Sequence, residues 1–227
     1  MLLYRRAHSL LFGGYSKALH RRIEQAVSAH EYSIDVISGF RMLIRRTDFF
    51  VAEHIERQIH VDSITDPFGE VTTVERTVYV KTTFMLKHDA PQVILLDPPT
   101  TSRQVIHKLC GYLEFSVAVI QPEVDLPTWA TKMGVSSFQL QPEDVRIQNI
   151  DYGDGFTGSL SLSGYNNVLR KAKTVTKGLD YTVSGIGGKV TIDNWETQIR
   201  LYRTGRIELS KSIEAEQFAS LYAIADW

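Results

Sequence analysis

The chain has 227 residues, with 25 Lys and Arg against 26 Asp and Glu, 43% hydrophobic and 22% charged residues, and one cysteine, Cys110. This length can bury a core without metal or disulfide staples, and the composition excludes a disordered or fibrous chain. A lone cysteine excludes an intramolecular disulfide framework and fits a reducing compartment.

No apolar run approaches the about 20 residues that span a bilayer. The opening MLLYRRAHSLLFGGYSK places basic residues inside its apolar stretch, unlike a cleaved signal peptide, so a cytoplasmic protein without a membrane span is expected. Charge is unevenly spread: residues 1–46 carry +5, residues 47–150 carry −6, and residues 151–227 balance 9 cations against 9 acids. Opposed potentials of this kind favour head-to-tail association, unless folding mixes them.

In chain order, Ser16 is placed to cap a helix to about His30, where Leu19, Ile23 and Val27 recur every fourth residue. YSIDVISGFRMLI reads as a strand, with a bulge expected at Gly39. From Phe49 to Ile64 two periods compete: AEHIERQ favours helix and IHVDSI favours strand, with a strand expected at least from Ile59 into the DPFGE turn. Beyond it, Val74, Val78, Val80, Phe84 and Leu86 alternate along a long strand, which predicts one buried face and one wet face.

VILLD reads as a short buried strand, and PPTTSRQVIHKLCGYL as a helix capped by Thr101 or Ser102 with Val105, Ile106, Leu109 and Leu113 on its inner stripe. SVAVI predicts another buried strand and LPTWATKMG a short helix ended by Gly134. Three strands follow in FQLQPEDVRIQNIDYG, FTGSLSLSG and YTVSGIGGKVTIDN, with NNVLRKAKTV between them as a basic helical turn or a loop. The closing hairpin joins Ile199, Leu201, Ile207 and Leu209 on one face through Arg203, Thr204 and a left-handed Gly205. Ser212 is expected to cap a terminal helix whose inner side is Phe218, Leu221, Tyr222 and Ala225.

These elements predict an α+β fold: mainly antiparallel β-sheet with three or four helices packed on one side, in a single domain over residues 1–227, with any subdivision near residues 122–136. Strand, turn, strand, helix occurs twice, in TTFMLKHDAPQVILLDPPTTSRQVIHKLCGYL and TQIRLYRTGRIELSKSIEAEQFASLYAIA, which raises an internal duplication.

Candidate chemistry is sparse. FGGYSK followed by YSIDV resembles the glycine-serine element and acidic strand of nucleotidyltransferases, but Asp35 has Ser33 and Ile37 where a second carboxylate should stand. His54, Glu56, His60 and Asp62 share a face if their segment is a strand, and neighbours such as His60 and Asp62 could touch one metal ion. DYGDGFTG lacks both the calcium-loop pattern and the phosphate-loop lysine. Cys110 falls on an inner helical stripe, where a thiol packs, and no GxSxG elbow, Walker or dinucleotide fingerprint occurs.

Nucleic acid could be held by Arg41, Arg45 and Arg46; by Arg170, Lys171, Lys173 and Lys177 beside Tyr165; and by Arg200, Arg203 and Arg206 beside Tyr202. Trp129, Trp195 and Trp227 fit either a core or an interface. With no catalytic residue set, cofactor or resident metal indicated, the expectation is a noncatalytic protein that associates with itself or with a protein partner in a larger assembly, such as a viral or phage shell or matrix component. The alternatives are nucleic-acid binding and a metal-dependent nucleotidyl- or phosphoryl-transfer enzyme using Asp35, His60 and Asp62.

Overall fold

The computed structural model describes residues 2–13, 17–88, 90, 92–99, 103–165 and 168–225. The caps expected at Ser16, Thr101 and Ser102, residues 14–16 of the FGGYSK element, and Trp227 lie outside the described residues. The first elements are β1 (Leu3–Phe12), α1 (Lys17–Ala29), β2 (Ser38–Arg45), β3 (Phe49–Thr65), β4 (Val71–Lys87), β5 (Gln92–Leu96) and α2 (Arg103–Tyr112). After these come β6 (Val119–Ile120), α3 (Leu126–Val135), β7 (Gln141–Asp151), β8 (Thr157–Ser163) and α4 (Val168–Val175). The chain closes with β9 (Thr182–Ile192), β10 (Trp195–Tyr202), β11 (Arg206–Glu214) and α5 (Ala215–Ala223).

Two compact units result, a central one of residues 12–118 and a terminal one of residues 1–11 with 119–227. In the central unit β2, β3, β4 and β5 pair antiparallel in that order. Leu19, Ile23 and Val27 of α1 are buried, as their spacing predicts, and so are Val105 and Leu109 of α2 and Leu113 just after it. Cys110 is buried with them, and burial pushes its thiol pKa up, consistent with packing.

In the terminal unit the order is β1, β11, β10, β9, β7, β8, with the short β6 against β1. The closing hairpin forms as its sequence predicts: Ile199 faces Leu209, Leu201 faces Ile207, all four are buried, and Gly205 takes φ 72°. Asp193 and Asn194 join β9 to β10 with φ 46° and 68°, the pair of left-handed residues that a two-residue hairpin turn requires. Trp129 of α3 stacks on Tyr222 of α5 at 6.0 Å, and the Tyr222 hydroxyl donates to Gly205 O at 2.7 Å. That bond fastens α5 to the hairpin turn. Trp195 is half-buried, with the Lys211 ammonium over its ring.

The expected fold class needs correction. Strands dominate: the described residues contain eleven strands and only five helices, in place of three or four helices layered on one side of a sheet. The two hairpin–helix segments also sit in different settings, since β4 runs 17 residues beside β3 whereas β10 runs 8 between β9 and β11. SVAVI yields only the two-residue β6, with Ile120 exposed. Gly134 lies inside α3 and Ser136 caps it.

Ser212 belongs to β11, and Glu214 opens α5, its N–H donating to the Gln217 side chain at 2.8 Å. The register shift in β2 falls between Met42 and Ile44, not at Gly39. Gly39 has a different duty: a Cβ there would lie 2.7 Å from Tyr32 Cα. No helix among the described residues is long and apolar enough to cross a membrane.

Candidate functional site

The contested segment 49–64 is strand throughout, and it pairs with β4 residue for residue from Phe49 with Lys87 to Thr65 with Val71. At the root of this hairpin β2 pairs with residues 50–56 and β5 with residues 83–86, which buries Phe50, Val51, Ala52, Phe84, Met85 and Leu86. Beyond the root, residues 58–65 and 71–82 pair with no other strand among the described residues. Two strands cannot build a core alone. Every residue from Ile59 to Thr77 is therefore exposed, and the buried face expected for β4 ends at Thr82, with Val78 and Val80 half-exposed and Val74 exposed.

This two-stranded arm is unusually apolar for a surface. Ile59, Val61, Val71 and Tyr79 project from one face, Ile64 and Val74 from the other, and Phe68 stands at the tip with 92% of its surface exposed. The tip is ordered by Asp66, whose Oδ1 accepts hydrogen bonds from the Phe68 and Glu70 N–H groups, both at 2.8 Å. Gly69 completes the turn at φ 88°. From His60 to Arg76 the arm carries Asp62, Asp66, Glu70 and Glu75 against Arg76 alone.

The candidate metal and acid–base residues fall along this hairpin and beside it. His54 is buried at the root against Phe40, at 5.2 Å between ring centroids. Burial, aided by Lys108 and opposed by Glu56, lowers its pKa. His60 and Asp62 are exposed on the arm, and Asp62 pairs with Arg76 at 3.9 Å. Asp35 lies on an exposed turn, not in a strand; that turn is fixed by Arg57, whose N–H donates to Ile37 O at 2.8 Å and whose Nη1 donates to Ile34 O at 3.1 Å. DYGDGFTG forms the β7–β8 turn, in which Asp151 Oδ1 accepts from Gly153 N–H.

The cationic candidates divide by what balances them. Arg41 pairs with Glu53 and Arg45 with Glu24 in the central unit; Arg203 pairs with Glu123 and Arg206 with Glu208 in the terminal unit. Glu208 also accepts from the Tyr202 hydroxyl at 2.6 Å; burial and this bond raise the Tyr202 pKa. Arg46 is exposed and Arg200 half-buried. The cluster on and just after α4 differs, with Arg170, Lys171, Lys173 and Lys177 all exposed and no acid between Val168 and Leu179.

A cleft of about 580 Å³ in the terminal unit is lined by Arg146, Gln148, Asn149, Ser184, Tyr202 and Arg203, among others. No protein-family model matches the chain, and no curated protein is significantly similar to it. The chemistry of the surface is therefore the guide to function.

The exposure of the arm escaped sequence reasoning because alternation records which side chains share a face, not whether anything covers that face. One signal was present: the charged and polar residues of TDPFGEVTTVERT interrupt both faces around the turn, as a solvated tip requires.

Proposed function

We propose that this protein is a noncatalytic assembly subunit that associates with further copies of itself through the β3–β4 arm. The carrying observation is an arm whose outer strand edges pair with no other strand among the described residues and which exposes seven large apolar side chains, Ile59, Val61, Ile64, Phe68, Val71, Val74 and Tyr79. Exposed apolar surface concentrated on one projection marks an interaction site, and open strand edges accept another chain.

Charge selects a second copy as the occupant. The acidic arm, with Asp62, Asp66, Glu70 and Glu75, is complementary to the exposed cations Arg170, Lys171, Lys173 and Lys177 on and beside α4 of another molecule. Such a contact uses two different surfaces and so builds a ring or filament, according to whether the rotation closes. Full burial of one large apolar side chain contributes about 1.5–3 kcal/mol, against about 0–1 kcal/mol for an exposed ion pair. Apolar burial thus supplies the affinity while charge sets orientation and encounter rate.

Light scattering after size exclusion, at low and high salt with absorbance at 260 and 280 nm, tests the reading. An oligomer free of nucleic acid, weakened by salt and reduced to monomer by combined Phe68→Ser and Val71→Ser substitution, is expected. A monomer at both salts overturns it. So does a 260 nm signal stripped by salt, which assigns the α4 cations to nucleic acid.

A further inference from the structure

Three metal-ligating side chains converge away from the arm, within the central unit. His20 and Glu24 are four residues apart on α1, hence on one helical face a turn apart. His88 comes from the turn after β4, where its N–H donates to Asp48 O at 2.8 Å. One donor atom from each of His20, Glu24 and His88 lies within 4.8 Å of the other two. The imidazole rings of His20 and His88 meet edge to face at 4.1 Å between centroids, and Phe50 packs against the His20 ring at 5.5 Å.

We propose that His20, Glu24 and His88 bind one late first-row divalent metal ion, of the zinc class. Two imidazoles and a carboxylate form the donor set that such ions favour, whereas calcium and magnesium require oxygen-rich shells. Donors about 2.0–2.2 Å from a tetrahedral ion stand roughly 3.4 Å from one another. The donors, now within 4.8 Å of one another, must close to that spacing when the ion binds. His20 is buried and the other two half-buried, so the donors sit in a partly desolvated corner rather than on a flexible surface. Arg45 Nε donates to Glu24 Oε1 at 2.9 Å and steadies the carboxylate by one oxygen, as the outer partner of a metal ligand does.

The ion joins α1 to the turn that ends β4, and its fourth position goes to water. The role is that of a clasp: binding to the folded chain alone raises stability by mass action. Since the trio shares no residue with the arm, its failure and the failure of the assembly reading are separate results.

The full chain, stripped by a chelator and dialysed, is titrated with Zn²⁺ against a chromophoric competitor, with Co²⁺ as a spectroscopic probe. One equivalent per chain is expected, with a visible Co²⁺ spectrum of tetrahedral intensity and a Zn²⁺-dependent rise in Tm. His88→Gln and Glu24→Gln, at half-buried positions, are each expected to lower affinity by about tenfold or more and to abolish the Tm shift, while His60→Gln on the arm leaves both unchanged. Absence of stoichiometric binding overturns the site. Affinity in His88→Gln and Glu24→Gln unchanged from that of the unsubstituted chain, or loss of binding in His60→Gln, overturns it as well.

Discussion

The root and the arm of the β3–β4 hairpin are the same two strands, in the same register, with opposite fates. Phe50 and Phe84 at the root are fully buried, with rings edge to face at 6.3 Å, whereas Ile59 and Val71 on the arm are 62% and 63% exposed. Nothing in the pairing of β3 with β4 changes between them. What changes is the flank: β2 and β5 pair only with the root. Burial in a sheet is thus set by neighbouring strands and the layer above them, and an apolar strand that outruns its neighbours becomes a surface.

Substitution at the two ends separates these roles. Phe84→Ala leaves a cavity beside Phe40 and Phe50 and is expected to cost about 3–5 kcal/mol in chemical denaturation; a cost near that of a surface change would mean that the root is not packed. Acid offers a gentler probe of the same end. Burial holds the His54 imidazole below its ordinary pKa, so the unfolded chain takes up a proton first as pH falls. Its contribution is complete above about pH 6.5 and declines as pH drops from there toward the folded-state pKa.

His8 in the terminal unit, lowered by burial and then by Arg206, acts with the same sign. Denaturation midpoints measured from neutral to acid pH should therefore flatten in His54→Gln while keeping the share due to His8; an unchanged acid limb would remove His54 from the account. The smallest stability effect belongs to the arm, where Phe68→Ser is expected to change folding stability by less than about 0.5 kcal/mol while weakening association. A large loss of stability there would show that the arm is packed, and the contrast with the root would collapse.

Much of the secondary structure was legible from the sequence because local rules governed it. The closing hairpin follows from alternation and one left-handed glycine, and α1 from its four-residue stripe. Other errors came from distance along the chain. Gly39 looked like a bulge because Tyr32, which its missing side chain accommodates, approaches only after folding. Asp35 looked like a strand residue because IDVI has the composition of one, yet Arg57 holds that backbone as a turn.

β1 went unread since Arg5 and Arg6 interrupt its alternation, and the register shift between Tyr4 and Arg6 explains why. At the proposed metal trio, His20 stands beside the Leu19, Ile23 and Val27 stripe but outside its four-residue period, and only the folded chain brings Phe50 against its ring. His88 carried no pattern at all, being a turn residue whose significance comes from the helix opposite.

The Asp66 turn has a consequence for the rate and strength of the proposed assembly. Freezing one backbone residue costs about 1–2 kcal/mol, and a loop that ordered only on contact would subtract that amount several times from the binding free energy. With Asp66 Oδ1 already holding the Phe68 and Glu70 amides, the tip would meet the proposed second copy in finished form. On the proposed reading, recognition by this arm is that of a rigid key entering a lock, not of a floppy tether that must be reeled in.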